Sequence, residues 1–179
     1  AENKNIARSH KLLFEGKWCK KYANQEYIHN MNVCTVGIIG FGNIGCRVAE
    51  RIKGFGSKIV VYDPYLKSDV IEKAEEIIER GAEPVSLEEL LTQSDFVTIH
   101  LRSSAETEKF MGIKEFSLMK KTAYFINTAR SGIVDTDALI KALQSKSIGG
   151  AAIDVYDNEP LSPDSPFLKL DNITLTPHL

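Results

Sequence analysis

No apolar run in this 179-residue chain approaches the roughly 20 residues needed to cross a bilayer. The first residues, AENKNIARSHKLL, lack the apolar stretch of a secretory signal peptide. Cysteine is scarce. Cys19, Cys34 and Cys46 make an odd number without paired spacing, which excludes a disulfide framework and a zinc pattern. A reducing, cytoplasmic setting is therefore expected. Excess charge is also missing: 22 Lys and Arg stand against 24 Asp and Glu, for a net charge of -2. Such a balance offers no general attraction to nucleic acid or to anionic membranes. There are no internal repeats and no low-complexity tracts. What is left is a chain with 43% hydrophobic and 26% charged residues, of a length that suits one compact domain better than two.

The order of apolar patterns then points to a fold. Residues 1–15 read as a helix with an incomplete stripe of Ile6, Leu12 and Leu13, ended by Gly16. Residues 17–32 are polar and irregular. The short apolar run 35–40 suits a strand buried on both faces, and a helix follows over 43–55. The next strand is 58–62, then a charged helix over 69–80 ended by Gly81. Residues 83–86 suit a very short edge strand, where Pro84 is tolerable. Ser86 and Glu89 have the spacing of a capping box opening a helix. Further strands are expected at 95–99, 122–126, 148–155 and 172–176, with a helix over 135–144 capped by Asp135. Strands alternating with helices mean βαβ units. Right-handed crossovers make of these an α/β, Rossmann-type, doubly wound and mostly parallel sheet with helices on both faces. No closing helix follows the last strand before Leu179, so the chain is expected to be truncated there.

The strongest local signal is Gly40-Phe41-Gly42-Asn43-Ile44-Gly45. A bare G-x-G-x-x-G is weak, but this one follows a strand and opens a helix, the context that a dinucleotide site requires. Gly40 permits the tight turn, Gly42 admits the pyrophosphate to the backbone, and Gly45 lets helix and strand pack closely. The phosphates would lie on free N–H groups near Asn43 and Ile44, at the positive end of the helix. Asp63 ends the second strand, 18 positions beyond Gly45. A carboxylate there can accept hydrogen bonds from the adenosine ribose and repel a 2′-phosphate. Pro64 and Tyr65 supply no compensating arginine, so NAD is favoured over NADP. Cys46, in the first turn of that helix, reads as a small packing residue.

A second set of motifs is more specific. Ile126-Asn127-Thr128-Ala129-Arg130-Ser131-Gly132, Val134-Asp135, Gly150-Ala151-Ala152-Ile153-Asp154-Val155, Asn158-Glu159-Pro160 and Leu175-Thr176-Pro177-His178 occur in that order. With the glycine loop, they make the whole chain resemble the D-isomer-specific 2-hydroxyacid dehydrogenases. In that family the nucleotide domain is inserted in the substrate domain, with helices crossing between the lobes. The resemblance therefore implies a first crossover helix and connector over residues 1–30 and an NAD-binding domain over 31–179. A second crossover would begin just after Leu179, with most of the substrate lobe lying outside this chain.

The resemblance also implies roles. Arg130 would bind the carboxylate and carbonyl oxygen of a small 2-hydroxy or 2-keto acid, for which a planar guanidinium fork is suited. His178 would exchange a proton with that oxygen, and Glu159 would orient the imidazole and favour its protonated form. Asp154 would accept from the nicotinamide carboxamide. Thr128 and Ala129 would line the nicotinamide ribose. Leu101, Arg102 and Thr107 would edge the adenosine side. Arg102 departs from the proline usual there, and could reach the phosphates, the cleft or solvent. Taken singly, an arginine after a strand, an acidic turn residue and a histidine near a chain end are unremarkable. All three, however, lie at or just after the C-terminal ends of expected strands, where open α/β sheets bind ligands. The expected function is NAD-dependent interconversion of a D-2-hydroxy acid and its 2-keto acid, by a homodimer when complete. The alternative is a non-enzymatic NADH-sensing module of the corepressor type, whose family branch shares the catalytic residues. Which acid is used is not encoded here, because Arg130 is common to all members.

Overall fold

A computed structural model of the chain describes residues 2–65, 75 and 77–179. The strands, in chain order, are β1 (Thr35–Ile39), β2 (Lys58–Tyr62), β3 (Glu83–Pro84), β4 (Phe96–Ile99), β5 (Tyr124–Asn127), β6 (Gly150–Ile153) and β7 (Ile173–Leu175). The α-helices described over their full length are α1 (Ile6–Phe14), α2 (Asn43–Lys53), α3 (Leu87–Gln93), α4 (Ile113–Leu118) and α5 (Thr136–Gln144). The expected helix over 69–80 lies largely outside the described residues; residues 77–79 are helical.

All seven strands join one sheet in the order β3-β2-β1-β4-β5-β6-β7, and every pair is parallel. The expected doubly wound sheet is therefore found, with no antiparallel member. Period-2 alternation sorts its side chains into two layers. Val36, Ile38, Ile59 and Val61 pack with Phe41 and Ala49 on the face of α2. Ile39, Val60, Val97, Ile99 and Phe125 pack on the other face with Leu90, Phe116 and Leu139 of α3, α4 and α5. Because both faces are covered, the central strands are apolar runs rather than alternating ones.

Two predicted caps are formed. The Glu89 N–H donates to Ser86 Oγ at 3.2 Å, while the Ser86 N–H donates to Glu89 Oε2 at 2.9 Å. Asp135 Oδ1 accepts the Ala138 N–H at 3.0 Å. Helix α4 was not expected. It spans six residues, too short to show an apolar period, and its start is fixed by the Gly112 N–H donating to Glu115 Oε2 at 3.1 Å. Helix α1 begins five residues later than its pattern suggested and buries none of its residues; Ile6 and Leu13 of the expected stripe are exposed. The strand expected within 148–155, broken up by Gly149 and Gly150, forms over the four residues Gly150–Ile153.

Among the glycines, the closest approach of backbone to backbone is at the turn from β1 into α2. Gly40 has φ +91°, which a side chain resists. A Cβ on Gly45 would stand 2.1 Å from the Gly40 carbonyl oxygen, whereas one on Gly42 would meet nothing within 4 Å. We expect Gly45→Ala to destabilise the domain by about 2 kcal/mol, as overpacking does. Gly42→Ala, away from any contact, should change stability by no more than about 0.5 kcal/mol. Urea unfolding of both variants checks this, and equal midpoints would contradict the packing role of Gly45.

Candidate active site

A parallel sheet sends every strand's C-terminal end to one edge, and the loops there carry the candidate residues. Between β1 and β4 the strand order reverses, which opens a crevice. The Gly40 N–H is held by the Tyr62 carbonyl at 2.7 Å. Gly42 is the N-cap of α2 and brings no side-chain cap, so the first-turn N–H groups of Asn43 and Ile44 face outward without one. Both residues are exposed, and the space above Gly42 is open. An eleven-residue helix with uncapped donors, positive at that end, fits a phosphate group.

The neighbouring acid is placed differently from a free ribose acceptor. Asp63 is only 5% exposed. Its Oδ2 accepts the Phe41 N–H at 2.8 Å and its Oδ1 the Tyr65 N–H at 2.9 Å. Its first effect is to tie the glycine loop to the end of β2. Across the crevice, Leu101 is buried and would touch a Cβ on Gly40. Thr107 is 2% exposed, and its hydroxyl donates to the Arg102 carbonyl at 2.6 Å and accepts the Ser104 N–H at 2.9 Å. Thr107 is thus the brace of the 102–107 loop rather than an open surface group. Arg102 stands exposed on that braced loop.

The adjacent loops after β5, β6 and β7 bring the remaining residues to the same edge. Asn127 is buried at the end of β5 and holds the turn Thr128-Ala129-Arg130. Thr128 and Arg130 are exposed there, and Arg130 Nη1 donates to the Ala129 carbonyl at 2.6 Å. After β6, Glu159 meets His178, which follows β7: Glu159 Oε2 lies 2.8 Å from His178 Nδ1. Glu159 Oε1 accepts the Tyr156 N–H at 3.0 Å. The bond from His178, then that from Tyr156, keeps the Glu159 carboxyl below its ordinary range. With Nδ1 so engaged, Nε2 is the ring nitrogen left to address a ligand.

His178 has φ 55°, in the left-handed region, and its neighbours are pinned. Asp154 accepts the Thr176 hydroxyl and, at 3.2 Å, the Leu179 N–H. These two bonds lead the causes that lower its carboxyl, along with desolvation acting the other way. The Tyr156 hydroxyl donates to the Thr176 carbonyl at 2.8 Å. The structure therefore brings Glu159, His178 and Asp154 together, and sets Arg130 on the neighbouring strand end. Sequence reasoning missed Asn127, Tyr156 and Thr176. For Asn127 a signal existed, since an asparagine before a turn commonly bonds the backbone two residues on. A cleft of about 300 Å3 adjoins His178 and Glu159, walled by Tyr156, Leu161, Leu168 and Leu175. A larger one, of about 640 Å3, lies at the other end of the strands among Arg8, Leu12, Tyr22 and Asn172, remote from these residues. Among the described residues no group of acidic, histidine and cysteine side chains could hold a metal ion, and no helix could cross a membrane.

Residues 1–179 match the family described as D-isomer specific 2-hydroxyacid dehydrogenase, NAD binding domain. A glyoxylate reductase from Korarchaeum cryptofilum is 40% identical over 99% of the chain and 52% of its own length. The phosphoglycerate oxidoreductase of Vibrio cholerae has a similar structure, with a TM-score of 0.87 and 28% identity over 100% of this chain and 55% of that one. A D-isomer specific 2-hydroxyacid dehydrogenase from Lactobacillus delbrueckii ssp. bulgaricus, solved in its NAD-complexed form, gives a TM-score of 0.80 with 28% identity, over 99% of this chain and 55% of that one. The chain thus spans about half the length of these relatives.

One group beside the crevice makes a test independent of any ligand. His100, at the end of β4, shares a 3.0 Å hydrogen bond with Thr98 Oγ1, and burial pushes its pKa down to about 4. The unfolded chain takes up this proton first, near pH 6.5. Stability is then complete above about pH 6.5 and declines as the pH falls through 6.5 toward 4, by about 3 kcal/mol at most. His100→Gln keeps a polar partner for Thr98 without the titration. Urea midpoints at pH 7 and pH 4.5 should fall further for the parent chain than for the variant. Equal declines would show that His100 is not held neutral by burial.

Proposed function

Since the chain belongs to the D-isomer-specific 2-hydroxyacid dehydrogenase family, as its NAD-binding domain, we propose that it serves NAD-dependent interconversion of a small D-2-hydroxy acid and its 2-keto acid. The 2.8 Å contact between Glu159 and His178, beside Arg130 at the ligand-binding edge of the sheet, carries this reading. Gly40, Gly42, Asn43, Ile44 and Gly45 would hold the dinucleotide phosphates, with Asp63, Leu101, Arg102 and Thr107 shaping the adenosine side. Thr128, Ala129 and Asp154 would face the nicotinamide half. NADH, when bound, supplies a hydride.

The residues of this chain do the rest. Arg130 grips the substrate carboxylate and polarises its carbonyl oxygen, because its fork stays charged and can meet two oxygens. His178 Nε2 gives that oxygen a proton during reduction and recovers it during oxidation. Glu159 fixes the ring through Nδ1 and stabilises the imidazolium. Residues 1–30 act as the connector to a substrate lobe. The same reading takes the working protein to be a homodimer in the cytoplasm, a compartment that reduced thiols such as Cys19 and Cys34 suit.

Calorimetry of the chain with both reduced cofactors should give tighter binding of NADH than of NADPH, because Asp63 leaves the adenosine side acidic. Equal or tighter NADPH binding would reject that preference. In the enzyme that carries this domain, His178→Ala should lower kcat by about 10²–10⁴-fold with NADH affinity nearly intact. Arg130→Ala should damage both KM and kcat, and Arg130→Lys should recover only part. Glu159→Gln takes away the carboxylate that meets the ring, so the alkaline limb of the reduction profile should move to lower pH. An unmoved profile would break the pairing of Glu159 with His178 in the working enzyme.

A further inference from the structure

Arg130 sits on a turn that has little to hold it. Among the described residues, no backbone–backbone hydrogen bond reaches Thr128 or Ala129. The turn is fixed by one side chain. Asn127 Oδ1 accepts the Ala129 N–H at 2.9 Å, and Asn127 Nδ2 donates to the Arg130 carbonyl at 3.0 Å. Asn127 is 2% exposed, so neither bond competes with bulk water. Its own carbonyl accepts the Asp154 N–H at 3.0 Å, which ties the base of the turn to β6. The guanidinium closes the set: Arg130 Nη1 donates to the carbonyl of Ala129, the residue whose N–H Asn127 holds.

We propose that Asn127 is the positioning residue for Arg130, bracketing the turn so that the guanidinium is presented to substrate in one orientation. This rests on the reading of Arg130 as the group that binds the substrate carboxylate. The chemistry demands an amide. One end of the side chain must accept and the other must donate, and only Asn of that length does both. A carboxylate of the same shape would keep the bond to Ala129 but set an oxygen against the Arg130 carbonyl, leaving two acceptors facing each other. An orienting fork loses most when its base is loose, since its advantage over a point charge is its fixed geometry.

The test is a double-mutant cycle in the enzyme that carries this domain, read as kcat/KM for glyoxylate and for pyruvate. Asn127→Asp should lower kcat/KM by about tenfold or more, the equivalent of one buried hydrogen bond lost and one repulsion gained. In an Arg130→Ala background the same substitution should cost less than about twofold, because the group it acts through is gone. Asn127→Ser, which keeps one polar contact at most, provides a second cycle with the same expectation, and circular dichroism checks that each variant is folded. Equal losses in both backgrounds, no loss at all, or failure of both variants to fold would overturn the proposal and leave Asn127 a residue of general stability. Arg130→Ala measured alone separates the two levels: if it leaves kcat/KM unchanged, the role of Arg130 itself falls.

Discussion

Everything at the candidate site follows from the parallel direction of the sheet. Seven strands running the same way present seven C-terminal ends along one edge, and residues far apart in sequence meet there without any long loop. Glu159 and His178 illustrate it: one follows β6, the other β7, and the register Ile153↔Leu175 sets their loops side by side. The same geometry makes the reversal of order between β1 and β4 a crevice. Helix α2 can sit at its mouth because Gly45 has no Cβ to strike the Gly40 carbonyl. A methyl group there would push the helix and its outward N–H groups away from the strand.

Several polar groups at this edge serve the protein before they serve any ligand. Asp63 holds Phe41 and Tyr65, Asp154 holds Thr176 and Leu179, Thr107 holds the 102–107 loop, and Asn127 holds the turn of Arg130. Loops that lack backbone ladders need such brackets if they are to keep catalytic groups within a fraction of an ångström of a working position. The brackets are also stronger than surface contacts of the same kind, because Asp63, Thr107 and Asn127 are nearly out of water. A carboxylate bonded to its own backbone can still face a ligand, but its orientation is then decided in advance.

Much of the fold was legible because its signals are periodic or capped. The apolar runs of β1 and β2, the capping box at Ser86 and the Asp135 cap each have a local cause, and the structure has them where the residues put them. Helix α4 was not legible, since six residues make fewer than two turns and leave no period to read. The glycine loop could be read from its spacing together with its place between a strand and a helix, because Gly40 and Gly45 answer a steric demand of that turn. The Arg130, Glu159 and His178 group could not. It became visible only through family resemblance, since nothing in local chemistry links three residues on three strands. The internal use of Asp63 and Thr107 was hidden for a related reason: sequence marks a polar residue as available, and only packing shows what it already holds.

The exposure of the Glu159–His178 pair limits what this wall of the site can do by itself. Their side chains are 38% and 44% exposed. A pair so placed contributes little by itself, since water screens it and competes for both partners. Away from water, by contrast, the same attraction is screened far less. Covering this edge with a second wall would therefore do more than confine a substrate. On the proposed function, it would strengthen the hold of Glu159 on the imidazole and of Arg130 on a substrate carboxylate. The cost of desolvating these charges would be offset only if their partners are already in place, and the brackets at Asn127, Asp154 and Tyr156 hold them there before any closure occurs.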